Sequence, residues 1–185
     1  MTSILGTQSI QHPNGTNAMT IGSGGVVNTP NRPCFHVTKS ADQTLTDATD
    51  TVVTFEEVTD GSHSGRTINK GGLFASNKLT VTSSTTGIYF VYASVFFQGS
   101  DILSLHGYFR KNGSVRQQIA YANGGWGNIN RFGTYFNHQI VNMDSAGDYL
   151  ELVLYGDVSN NGTTNLNQNN PSGFQRTNMG GYLVG

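Results

Sequence analysis

Gly87-Ile88-Tyr89-Phe90-Val91-Tyr92-Ala93-Ser94-Val95-Phe96-Phe97 is the stretch of sequence on which the fold turns. Its β-branched and aromatic residues favour an extended backbone, and 11 residues are too few to span a bilayer. In a strand, successive side chains point to opposite faces. One face then carries Tyr89, Val91, Ala93, Val95 and Phe97, and the other carries Ile88, Phe90, Tyr92, Ser94 and Phe96. An antiparallel strand with one wet face alternates apolar with polar residues. This strand is apolar on both faces, so both faces are expected to be covered. A two-layer sandwich covers one face of each sheet, which leaves the second to a subunit partner or to the chain's own N-terminal and loop residues.

Turn signals and alternation govern the flanking sequence, and no segment sustains a helical period. Strands are expected at Cys34 to Thr38 (an edge strand), Thr51 to Val58, Lys78 to Thr82 and Leu103 to Arg110. Others are expected at Ser114 to Tyr121, Phe132 to Val141, Tyr149 to Tyr155 and Met179 to Val184. Lys111-Asn112-Gly113 marks a tight hairpin, because Asn and Gly tolerate the positive φ that such turns demand. In 149–155, Leu150, Leu152 and Leu154 share one face, with Tyr149, Glu151, Val153 and Tyr155 on the other. Short strands at this spacing give an all-β antiparallel sandwich or barrel. The aromatic residues of these strands, Tyr89, Phe90, Tyr92, Phe96, Tyr149 and Tyr155, form the candidate subunit interface.

Residues 1–32 stand apart as an anchor or linker, and 33–185 form the head. Two short strands, Gln8 to His12 and Asn17 to Ile21, flank the turn Pro13-Asn14-Gly15. Gly22-Ser23-Gly24-Gly25 reads as a flexible break. So small a piece buries no core of its own and must pack on a neighbour, with Ile10, Pro13, Met19 and Ile21 as its candidate contacts.

The composition narrows the function. Charged residues are 11% of the chain, against roughly 25% in an average domain. The net charge is −1 and the ten basic residues are scattered, which argues against nucleic acid or an anionic membrane as partner. Residues 1–10 lack the basic and apolar regions of a secretory leader, so the sequons at Asn14, Asn112 and Asn161 are expected to be turns. Cys34 is the single cysteine, either an inert buried thiol or a contact near a symmetry axis. His12, His36, His63, His106 and His138 fall in no metal-ligand spacing, and no nucleophile elbow or phosphate loop is present. Neither catalytic residues, nor a cofactor, nor a metal site is expected, although Asp144, Asp148 and Asp157 leave a calcium cluster open.

Two loops are candidates for ligand contact. In 123–130, glycines flank Trp126, beside Asn128 and Asn130; a sugar ring stacks on such a face while Asn side chains bind its hydroxyls. The alternative is a Trp126 that tucks back as a loop anchor or sits at the subunit interface. The uncharged stretch 159–171, with Asn165 and Asn167, is either an adaptable contact surface or a solvated spacer.

The order of segments resembles the C1q/TNF-like globular head. It rests on Phe55, Asn69 and Phe74, on Gly87-Ile88-Tyr89-Phe90, and on Phe109-Arg110-Lys111-Asn112-Gly113. It continues with Ala146-Gly147-Asp148-Tyr149-Leu150-Glu151-Leu152, Phe174 and Gly180-Gly181-Tyr182-Leu183-Val184. The resemblance spans about residues 33–185 and implies a ten-stranded jelly roll that forms a homotrimer through aromatic faces. Ile10 to Ile21, the Gly-rich step and Asn31-Arg32-Pro33 resemble the leader of tail-fibre and virion appendage proteins of marine tailed phages. That second resemblance implies a virion protein, assembled in the host cytoplasm and fastened to other virion proteins by residues 1–32. Its head would meet the host surface, through glycan; the alternative is a head decoration or tail adaptor with no receptor of its own. A collagen-like stalk, usual in animal C1q proteins, is absent from the sequence.

Overall fold

The computed structural model describes residues 8–29, 31–56, 67–99, 102–123, 131–158, 164–166 and 177–184. Sixteen strands lie among them. The first three, β1 (Ser9–Gln11), β2 (Asn17–Ile21) and β3 (Val27–Asn28), form a small antiparallel sheet. His12 and Thr16 close the first turn (N···O 2.9 Å), and Asn14 Oδ1 accepts from the Thr16 amide at 3.0 Å. Gly22–Gly25 is a second tight turn, not a flexible break. The Gly22 amide donates to Val26 O and the Gly25 amide to Gly22 O, both at 2.8 Å.

The remaining strands build two facing sheets. They are β4 (Cys34–Thr38), β5 (Gln43–Thr44), β6 (Thr49–Val52), β7 (Ile68–Lys70), β8 (Phe74–Ala75) and β9 (Lys78–Thr80). There follow β10 (Gly87–Gly99), β11 (Ile102–Lys111), β12 (Ser114–Asn123), β13 (Arg131–Met143), β14 (Tyr149–Val158), β15 (Thr164–Leu166) and β16 (Asn178–Leu183). The first sheet runs β5-β15-β10-β16-β4-β7, with β13 along the other edge of β10. The second runs β12-β11-β14-β9-β8, and β6 lies beside β14 through a Val53 amide to Leu152 O bond of 2.9 Å. β4 is therefore internal, and β7 takes the edge expected of it.

The core is the inward side of both sheets. Tyr89, Val91, Ala93 and Val95 of β10 meet Leu105 and Phe109 of β11 and Leu150, Leu152 and Leu154 of β14. Phe35, Phe55 and Phe74 complete it, with Phe74 stacked on Phe35 and edge-on to Phe55. Asn69 holds the loop before β8, its side chain pairing with both the amide and the carbonyl of Phe74 at 3.0 and 2.9 Å. The β11–β12 turn is as the sequence requires: Asn112 and Gly113 take φ of 50° and 78°. Asp148 locks it. Lys111 Nζ and Asn112 Nδ2 each donate to its carboxylate at 2.7 Å, and together, before the Ser145 amide, they hold its pKa well below the usual carboxylate range.

Candidate functional site

The outward side of the first sheet follows from the register. β10 sets Ile88 against Asn142, Phe90 against Ile140, Tyr92 against His138 and Ser94 against Phe136 of β13. On its other edge, Phe90 faces Tyr182 and Tyr92 faces Gly180 of β16, which carry the row on to Cys34 and His36 of β4. The rings form a continuous layer. Phe90 lies 5.3 Å from His138 and 5.4 Å from Tyr182, and Tyr92 lies 6.2 Å from Phe136. Phe136 and Ile140, on the same face of β13 with His138 between them, remain 63% and 70% exposed, unusual for large apolar side chains. From β13 through β10, β16 and β4 no described residue of this side is charged; Lys70, on the edge strand β7, is the first.

Tyr92 owes its position to a missing side chain. A Cβ on Gly180 would stand 2.4 Å from its Cζ and Oη, so the ring crosses β16 where no side chain rises. Its hydroxyl reaches His36 Nδ1 at 2.8 Å, with the two rings stacked at 5.9 Å. Burial lowers the His36 pKa and, together with the nearby Cys34, raises that of Tyr92. Gly181 serves the inward side, where a Cβ would meet Phe90 O at 2.6 Å.

The six aromatic interface candidates do not form one surface. Tyr89 points into the core of its own chain, fully buried, and its hydroxyl donates to Thr85 O at 2.6 Å. Phe90, Tyr92 and Phe96 lie on the outward side of the first sheet, Phe96 largely covered. Tyr149 and Tyr155 are on the outward side of the second sheet, Tyr149 beneath Lys78 Nζ at 4.3 Å and Tyr155 edge-on to His106. The second face of β14 is covered within the chain over its first half, where Val153 opposes Tyr108, both buried, and Glu151 pairs with Arg110 at 2.7 Å. β10 keeps its second face open. Sequence reasoning missed Phe136, His138, Ile140, Tyr182 and His36; the alternation of Phe136, His138 and Ile140 was the available signal.

Among the anchor candidates, Ile10, Pro13 and Ile21 are exposed and Met19 is half-buried. Trp126, Asn128, Asn130 and Asn167 lie outside the described residues, as does the side chain of Asn165 on β15. The three calcium candidates are not brought together. Asp144 and Asp148 share the Lys111 ammonium, whereas Asp157 is near the far end of β14, about 30 Å along a strand rising ~3.3 Å per residue. Among the described residues no group of three or more His, Cys, Asp or Glu side chains has metal-binding geometry.

No protein-family model matches the sequence, and no curated protein matches it either. Solved structures do. Murine APRIL aligns with a TM-score of 0.55 at 15% identity, over 83% of this chain and 99% of that one. The Eiger TNF of S. frugiperda aligns at 0.56 and 13% identity, over 83% and 94%. The globular domain of zebrafish complement 1qA aligns at 0.49 and 12%, over 83% and 98%. The chain thus has an all-β, antiparallel jelly-roll fold like that of murine APRIL and the Eiger TNF, in line with the fold that the order of its segments implied.

Proposed function

We propose that the chain is a homotrimeric, non-enzymatic structural and binding head, an appendage of a phage virion held to its particle by residues 1–32. The outward aromatic layer of β10, β13 and β16 carries the reading. It is uncharged and rich in exposed rings, the make-up of homo-oligomer interfaces, which are more apolar than other protein contacts. A second copy is the occupant that suits it, because closed symmetry covers the same patch on every chain and leaves none open. The resemblance to trimeric C1q/TNF-like heads supplies the number three. The virion role rests on the resemblance of the N-terminal segment, and the exposed Ile10, Ile21, Val26 and Val27 of its small sheet agree with a docking piece.

Light scattering on the purified chain tests the assembly. A mass of three chains is expected, and Phe136→Asp should reduce it to one while the circular dichroism of the fold persists. A folded wild-type monomer at micromolar concentration would refute the trimer. Cross-linking within purified particles tests the attachment: residues 1–32 should link to other virion proteins, and a chain absent from particles refutes the virion role. The alternative, a head decoration or adaptor without a receptor, predicts that the head too is cross-linked to virion proteins throughout.

A further inference from the structure

On the side of the sandwich away from the aromatic layer, β11 and β14 form the floor of an open cleft of about 380 Å³. Ser104, His106 and Tyr108 line it from alternate positions of β11, Tyr155 from β14, and Asp50 from β6. The volume is near the low end of the roughly 300–1,000 Å³ of small-molecule sites. Its lining is mixed. His106 and Tyr155 meet at 89° with their centroids 5.5 Å apart, making an aromatic corner. Tyr108 lies beside the Asp50 carboxylate; burial first, and that carboxylate second, push its pKa up to about 12, so its hydroxyl stays neutral at any ordinary pH.

The charges at the cleft exclude some ligands. Arg110 Nε is bound to Glu151 at 2.7 Å, while its Nη1 stands 3.8 Å from Asp50. Two carboxylates share one guanidinium, which leaves a net charge of −1 and disfavours an anion. Asp50, with its side chain 44% exposed, offers acceptor positions toward the opening. A carboxylate that accepts from neighbouring hydroxyls, next to an aromatic corner that packs on C–H groups, is suited to a neutral polyhydroxylated ring.

We infer that the cleft of Asp50, Ser104, His106, Tyr108 and Tyr155 is a binding site for one neutral sugar residue. The inference rests on the reading of the chain as a binding head and moves the sugar contact from the loops to a sheet face. The cleft and the aromatic layer are on opposite sides of the sandwich.

An NMR titration of the full chain with the methyl glycosides of glucose, galactose, mannose and N-acetylglucosamine is the test, with glucuronate and choline as charged controls. At least one neutral glycoside should shift the amides of Asp50, His106 and Tyr155, and glucuronate should not. Asp50→Asn, at a well-exposed position, should weaken binding about tenfold, as should Tyr155→Ala, each by about one hydrogen bond or stacking contact. No shift at these amides with any neutral glycoside overturns the site, as does undiminished binding by Asp50→Asn; choline alone binding makes it a cation site and overturns it equally. Light scattering on the same samples keeps the outcomes separate. A trimer that binds no sugar refutes this inference alone, and a monomer that binds in the cleft refutes the assembly alone.

Discussion

Gly180 and Lys39 show how much depends on single side chains. Gly180→Ala would drive a methyl group into Tyr92, and the ring must swing off His36 to admit it. The expected cost is about 1–3 kcal/mol of stability, from overpacking, read as a lower urea midpoint with an unchanged slope. Lys39 is fully buried, donating to Thr54 O at 3.0 Å, Thr54 Oγ1 at 2.8 Å and Glu56 Oε1 at 3.1 Å. Burial alone would raise the Glu56 pKa, but the Ser40 amide and the Lys39 ammonium outweigh it, and the net shift is downward. Lys39→Met should cost about 2–3 kcal/mol, the worth of its charge-assisted hydrogen bonds, and urea titration would show it. Lys39 and Gly180 could not be picked out from the sequence, because nothing local marks a lysine that will be buried or a glycine that will lie beneath a tyrosine from another strand.

At the scale of elements, the β11–β12 hairpin makes a pH-dependent clamp with the start of β14. The Asp148 carboxylate has a depressed pKa in the folded chain, so its contribution is complete above the ordinary value near 4. It is lost as acid titrates the folded group. His36 is also depressed, and a histidine held neutral stabilises fully above about 6.5 and progressively less below it. Thermal melts should therefore fall in two stages on acidification, one beginning near pH 6.5 and one below pH 4. Asp148→Asn should flatten the second stage and leave the first. The same hairpin was legible in the sequence, since Asn-Gly between alternating runs admits few other conformations. So were β10, β13, β14 and β16, whose bounds differ from expectation by a few residues at most. What escaped were two- and three-residue strands, β3, β5, β7, β8 and β15, too short to show a period and fixed only by the neighbours they pair with. The aromatic face was half legible: β10 declared two apolar sides, but which side belonged to the core depended on partners far along the chain.

For the whole molecule, the two outward surfaces of the sandwich differ in chemistry, and the difference predicts separable defects. Ile140→Asp on the aromatic layer should dissociate the assembly without unfolding the chain, as native mass spectrometry would record, since that side chain is 70% exposed before association. Each large apolar side chain fully covered there contributes roughly 1.5–3 kcal/mol. The way the head meets its N-terminal segment has a mechanical consequence. Arg32 holds Val184 O at 2.8 Å and the Leu183 amide holds Pro33 O at 3.0 Å, directly before β4 enters the sheet between β16 and β7. Were residues 1–32 to fasten the chain as proposed, tension arriving through residue 32 would enter the sheet at the end of an interior strand. Pulled along its own axis, that strand would have its five residue pairs with β16 loaded together as shear, not opened one after another like a zip. A tether attached in this way would resist force far better than the same number of hydrogen bonds at a peeling edge.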